Sequence, residues 1–126
     1  MSEGVSEAME DWTPSGVAEA DLVDGKPVRA TIRATDVFLC RLGDRLFALD
    51  NRCTHIGGPL HRGVVRAHVS QPTVTCPLHG STFWLADGRV VRGPATRPQS
   101  VYEARVNDGM IEVRPMQERG GEGGIE

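Results

Sequence analysis

Two short groups of soft ligands constrain this chain more than any other feature: Cys53-Thr54-His55 and Cys76-Pro77-Leu78-His79, separated by the 20 residues from 56 to 75. Each offers one thiolate and one imidazole, so a fold that uses them together must set two loops side by side. Two thiolates and two neutral imidazoles suit either one tetrahedral zinc ion or a 2Fe-2S cluster with histidine on one of its irons. A zinc clip usually leaves about two to four residues between its ligands, so a cysteine and a histidine with one residue between them are strained around a single ion. The short spacing becomes natural if each clip straddles a cluster, with its cysteine on one iron and its histidine on the other. A zinc-stabilised interaction module is the alternative.

The rest of the chain is built for strands. Its 126 residues fit one domain, and 15 glycines with 8 prolines imply many turns and few long helices. Alternating segments run over Val28 to Ile32, Val37 to Leu42, Leu46 to Leu49, Thr73 to Thr75, Thr82 to Leu85, Val90-Val91, Val101 to Val106 and Met110 to Val113. Turn pairs such as Gly43-Asp44 and Asp87-Gly88 join several of them into hairpins. The expected class is therefore all-β. Both clips follow strands, so a rigid sheet would present them on loops. Residues 1–11 hold four acids and no base, and residues 116–126 are rich in glycine and glutamate; both read as disordered tails flanking a folded region, 12–115.

The sequence resembles the Rieske iron-sulfur family in Cys53-Thr54-His55-Ile56-Gly57-Gly58, in Cys76-Pro77-Leu78-His79-Gly80-Ser81 and in Gly93-Pro94-Ala95. The resemblance implies an antiparallel β-sandwich or barrel with a small cluster-binding subdomain, about 51–94, inserted between its strands. One 2Fe-2S cluster would be held by Cys53 and Cys76 on the buried iron and by His55 and His79 on the outer one. Around it, Gly57, Gly58 and Gly80 would let backbone amides approach the sulfides, Ser81 would donate its hydroxyl to cluster sulfur, and Pro94 would stiffen a covering loop. Phe83 and Trp84 read as core beneath the loops. His61 and His68 lack ligand spacing and read as surface residues, and Cys40 as a small strand residue.

Two ferric ions, two sulfides and two thiolates sum to zero charge, so reduction takes a cluster with neutral histidines only to −1. That electrostatic ease places such centres at roughly −150 to +300 mV. High-potential respiratory relatives carry an additional cysteine in each clip, joined as a disulfide, where this chain has Gly58 and Leu78. They also have a tyrosine donor where Phe83 stands. A missing donor leaves negative sulfur less stabilised, so the lower half of the window is expected, as in stand-alone ferredoxins.

What such a protein would do follows from these departures. No second metal site suggests a catalytic domain, so the resemblance implies a one-electron carrier rather than an enzyme, taking electrons from a flavin-dependent reductase to a terminal oxygenase. A small Rieske-like subunit of a larger oxidoreductase, of the nitrite reductase type, is the alternative. No apolar run is long enough to span a bilayer, and the acidic start lacks the features of a signal peptide, so a cytoplasmic monomer that binds neither membrane nor nucleic acid is expected. The net charge of −3 is uneven: residues 50–97 carry six arginines against Asp50 and Asp87.

Overall fold

Segments of alternating polarity, punctuated by Gly-Asp and Asp-Gly pairs, become antiparallel strands throughout the computed structural model, which describes residues 11–67 and 69–116. Nearly all of both expected tails, and His68, lie outside the described residues. In chain order the strands are β1 (Thr13–Ala18), β2 (Val28–Ile32), β3 (Thr35–Leu42), β4 (Arg45–Asp50), β5 (Val64–Arg66), β6 (Thr73–Thr75), β7 (Thr82–Trp84), β8 (Val90–Arg92), β9 (Val101–Asn107) and β10 (Met110–Pro115). A single 3-10 turn, Leu60–Arg62, precedes β5, and another, Glu19–Asp21, follows β1.

Six strands form one sheet in the order β1-β10-β9-β4-β3-β2, and the other four form a second, β5-β6-β7-β8. Strand β1 comes back against β2, so the larger sheet curls into a near-barrel base. Two elements were not legible as strands. In β1, Pro14 and Gly16 break the alternation and the register shifts between Pro14 and Ala18; β5, Val64-Val65-Arg66, has the same residues as β8 but no Asp-Gly turn before it to mark it.

Packing follows from the alternation of side chains along each strand. Val37 and Leu39 of β3 face the interior of the curled sheet, with Ala30, Ile32, Ala48, Ile111 and Val113. Phe38 and Cys40 face the other way and meet Phe47, Leu49, Val74, Phe83 and Leu85 between the two sheets. Strand β3 is thus apolar on both faces because it is covered on both. Cys40 belongs wholly to this second core, where burial, followed by the charge of Asp24, pushes its thiol up to about 11, far from reactivity. Cys53 and Cys76 lie in the same core.

The second sheet and both clips fall in sequence between β4 and β9, and Gly63 sets how closely they pack. A Cβ on Gly63 would lie 1.9 Å from the carbonyl oxygen of Thr75 and 3.1 Å from that of Leu60. Both obstacles are backbone, so the first loop touches the strand that leads into Cys76 only because this residue has no side chain. Replacing it with alanine (Gly63→Ala) should cost about 1–3 kcal/mol by overpacking. The expected result is a lower urea midpoint at unchanged m-value; an unchanged midpoint would show that the loop can retreat freely.

Candidate metal centre

Each clip folds by the same backbone pattern. The Cys53 carbonyl accepts the amide of Gly57 at 2.7 Å, and the Cys53 amide donates to Gly58 at 2.9 Å. In the second clip the Cys76 carbonyl accepts the amide of Gly80 at 3.2 Å, and the Cys76 amide donates to Ser81 at 2.7 Å. Both closing glycines need positive φ, +81° at Gly57 and +83° at Gly80, where a side chain would be strained. Their amides are thus engaged in closing the loops.

The two loops bring the four expected ligands together as two pairs. Cys53 and Cys76 are buried and adjacent, whereas the His55 and His79 rings are exposed, 5.3 Å apart between centroids and nearly perpendicular. Burial pushes the Cys76 thiol up and the neighbouring Cys53 adds to this, while the backbone amides of Leu78 and His79 hydrogen-bond to the sulfur and favour thiolate. Among the described residues no three His, Cys, Asp or Glu side chains converge to hold one metal ion. The donors stand as a sulfur pair inside and an imidazole pair outside, an arrangement suited to a two-metal cluster.

Ser81 offers a second fit. Its hydroxyl is buried and accepts the amide of Ala95 at 2.9 Å, and among the described residues its own proton has no acceptor. An unspent buried donor on the residue whose carbonyl accepts the Cys76 amide suits cluster sulfur. Phe83, fully buried among the cysteines, brings no hydroxyl, and Trp84 lies half-buried on the outer face of the small sheet rather than in the core. A Cβ at Gly58 would meet Cys76 Sγ at 2.7 Å and Leu78 Cδ1 at 3.0 Å. Positions 58 and 78 therefore oppose each other, with Leu78 in place of a crosslink.

Pro94 lies exposed in the connection from β8 to β9, and that segment ties the clips together through residues the sequence did not single out. Thr54 Oγ1 donates to the Arg97 carbonyl at 2.7 Å. Gln99, buried, accepts the Thr54 amide at 2.8 Å and donates through Nε2 to the carbonyls of Asp50 at 2.9 Å and Arg52 at 3.0 Å. One side chain thus satisfies three backbone groups that bracket Cys53, and its orientation is fixed because two partners are acceptors and one is a donor.

Asn51 closes the neck of the same loop. Its Oδ1 accepts the His61 amide at 2.7 Å, its carbonyl accepts the Leu60 amide at 2.8 Å, and its Nδ2 lies 2.9 Å from His61 Nδ1. His61 is therefore not a free surface residue: its Nδ1 must be the unprotonated acceptor. Burial first, then Arg62, lowers its pKa accordingly.

An all-β chain with two buried cysteines, two exposed histidines and an unspent serine donor has the donor set of an iron-sulfur protein with mixed ligation. Residues 11–114 match the Rieske-like [2Fe-2S] domain, and the chain belongs to that family. It is 30% identical over 103 residues to the anthranilate 1,2-dioxygenase ferredoxin subunit of Burkholderia cepacia, covering 82% of this chain and 91% of that protein. Among solved structures it resembles the ferredoxin of carbazole 1,9a-dioxygenase from Nocardioides aromaticivorans IC177, with a TM-score of 0.74 and 26% identity over 86% of this chain and all of that one. A protein assigned as the NADH-dependent nitrite reductase small subunit of Mycobacterium tuberculosis also has a TM-score of 0.74, with 28% identity over 88% of this chain and all of that one.

Replacing Gln99 with leucine (Gln99→Leu) keeps the volume but strands the Thr54 amide and two carbonyls. A loss of about 1–3 kcal/mol is expected in urea unfolding, together with faster hydrogen exchange at the Thr54 amide. Wild-type exchange at that amide would show that Gln99 does not hold the loop.

Proposed function

We propose that this protein is a one-electron carrier, the ferredoxin of a dioxygenase system, in which Cys53, Cys76, His55 and His79 hold one Rieske-type 2Fe-2S cluster. When bound, the cluster accepts and releases single electrons without further chemistry. The observation that carries this reading is the pairing of two buried thiols with two exposed imidazoles on loops of identical closure. The chain's contribution is to hold the sulfurs in a dry core, aim the Leu78 and His79 amides at Cys76, offer the Ser81 proton, and expose the imidazoles at the surface.

The likeness to two dioxygenase ferredoxins supports a terminal oxygenase as electron acceptor, and a flavin-dependent reductase as donor completes the reading. Among the described residues no helix is long and apolar enough to cross a membrane, and three cysteines without a disulfide suit the cytoplasm; we take the protein as a cytoplasmic monomer. The folded domain is assigned to residues 12–115, with the cluster-binding part at about 51–94. A role as the small subunit of a nitrite reductase is the second reading, supported by a neighbour of equal TM-score and 28% identity. Stable co-purification with a larger reductase subunit would favour that role.

Electron paramagnetic resonance of the dithionite-reduced protein tests the carrier reading. The expected signal has the low average g of a histidine-ligated cluster, and a redox titration should place its midpoint in the lower half of the roughly −150 to +300 mV window. A colourless protein, or a signal with the higher average g of an all-cysteine cluster, would refute the assignment.

A further inference from the structure

The arginines divide into two populations. On the near-barrel base they are engaged: Arg29 with Asp36 at 2.6 Å, Arg105 with Glu112 at 2.7 Å, Arg114 with Glu103 at 2.8 Å. Arg41 donates to the carbonyls of Leu22 and Gly43, and Arg45 lies over the Phe47 ring. Around the clips the reverse holds. Arg52, Arg62, Arg66, Arg92 and Arg97 are all exposed, and among the described residues none forms an ion pair.

Both acids of that region are already engaged, Asp87 with Arg89 at 3.0 Å and Asp50 with the Tyr102 hydroxyl. Residues 50–97 thus carry +4 while the whole chain carries −3, which leaves −7 on the remainder. Five of those seven negative charges belong to residues 1–10 and 117–126, so residues 11–49 and 98–116 carry only −2, and the positive charge of the described structure gathers in the part that bears the clips.

The outer face of the small sheet gives that charge a shape. Strand pairing aligns Arg66, Thr73 and Trp84 in one row and Thr75, Thr82 and Arg92 in the next. These side chains line a groove of ≈520 Å³ on the sheet face opposite the core. The second row adjoins the clip itself, since Thr75 precedes Cys76 and Thr82 follows Ser81. Arg52 approaches the first loop, its Nη2 3.8 Å from where a Cβ on Gly57 would be.

We infer that the outer face of the small sheet, together with the arginines flanking the clips, docks a carboxylate-rich protein surface on the electron-transfer partner. The inference rests on the carrier reading and adds the partner's chemistry to it. Guanidiniums without an ion pair among the described residues attract carboxylates and bind them bidentately. The positive charge gathered beside the clips turns that part of the molecule toward such a surface during approach, which accelerates encounter and makes it salt-dependent. Trp84, half-buried in the same groove, supplies a flat contact between the two arginines.

The test uses the full chain with its cluster loaded and reduced, mixed in stopped flow with two protein oxidants. Plastocyanin presents a carboxylate patch, and cytochrome c a ring of lysines. Raising the salt from about 10 to 300 mM, across which screening becomes short-ranged, should slow oxidation by plastocyanin about tenfold and speed oxidation by cytochrome c. Arg66→Glu with Arg92→Glu should reverse the plastocyanin salt dependence, and the milder Arg66→Gln with Arg92→Gln should roughly halve its slope. Lys26→Glu, which changes the charge by two units as the glutamine pair does but at an exposed site on the base, should leave it as in wild type. A flat salt dependence in wild type, or arginine variants that behave like Lys26→Glu, would overturn the inference alone. Absence of the cluster spectrum before mixing would overturn the carrier reading and the inference with it.

Discussion

Two cysteine sulfurs must sit side by side in an apolar core without bonding to each other, and the surrounding structure follows from that requirement. Burial makes the Cys76 thiol harder to ionise, so the chain must supply what favours thiolate. It does so with backbone amides at Cys76 and with loops whose shape is fixed by their own hydrogen bonds. The base sheet anchors the arrangement: Asp50 at the end of β4 is held by Tyr102 of β9, and the next residue, Asn51, locks the neck of the first loop. The connection from β8 to β9 then reaches both loops, through Thr54 and Gln99 on one side and Ser81 on the other. Where respiratory relatives use a disulfide between the clips, this chain opposes Gly58 to Leu78 and relies on these hydrogen bonds instead.

The chain also separates two electrical roles. Arginines that stabilise the base are matched by acids on neighbouring strands, whereas those near the clips are left unmatched. Exposed ion pairs on a sheet contribute little to stability, so leaving five arginines without an ion pair among the described residues costs the fold little. The unmatched charge remains available to whatever approaches the histidines, and it favours the more negative, reduced state of the centre.

Much of this was legible in the sequence. The four candidate ligands and eight of the ten strands among the described residues could be read from spacing and alternation, because both patterns are local. The missed pieces depend on contacts that are distant in sequence. Gln99 lies 45 residues from Thr54, and nothing around it marks a glutamine that is buried rather than solvated. His61 looked like a surface residue because its partner, Asn51, is ten residues away across the neck of a loop. One signal was present and not read: both clips have glycine four residues after cysteine, Cys53 to Gly57 and Cys76 to Gly80, which is the repeat that closes both loops in the same way.

The central claim is that the exposed imidazole pair and the buried sulfur pair serve different metals of one cluster. Pulsed electron paramagnetic resonance on the reduced protein labelled with nitrogen-15 in histidine alone addresses it directly. The account predicts strong couplings to two histidine nitrogens, with one lost on replacing His55 with serine and the other on replacing His79. A cluster that shows no histidine coupling, or whose couplings persist in both variants, would contradict it.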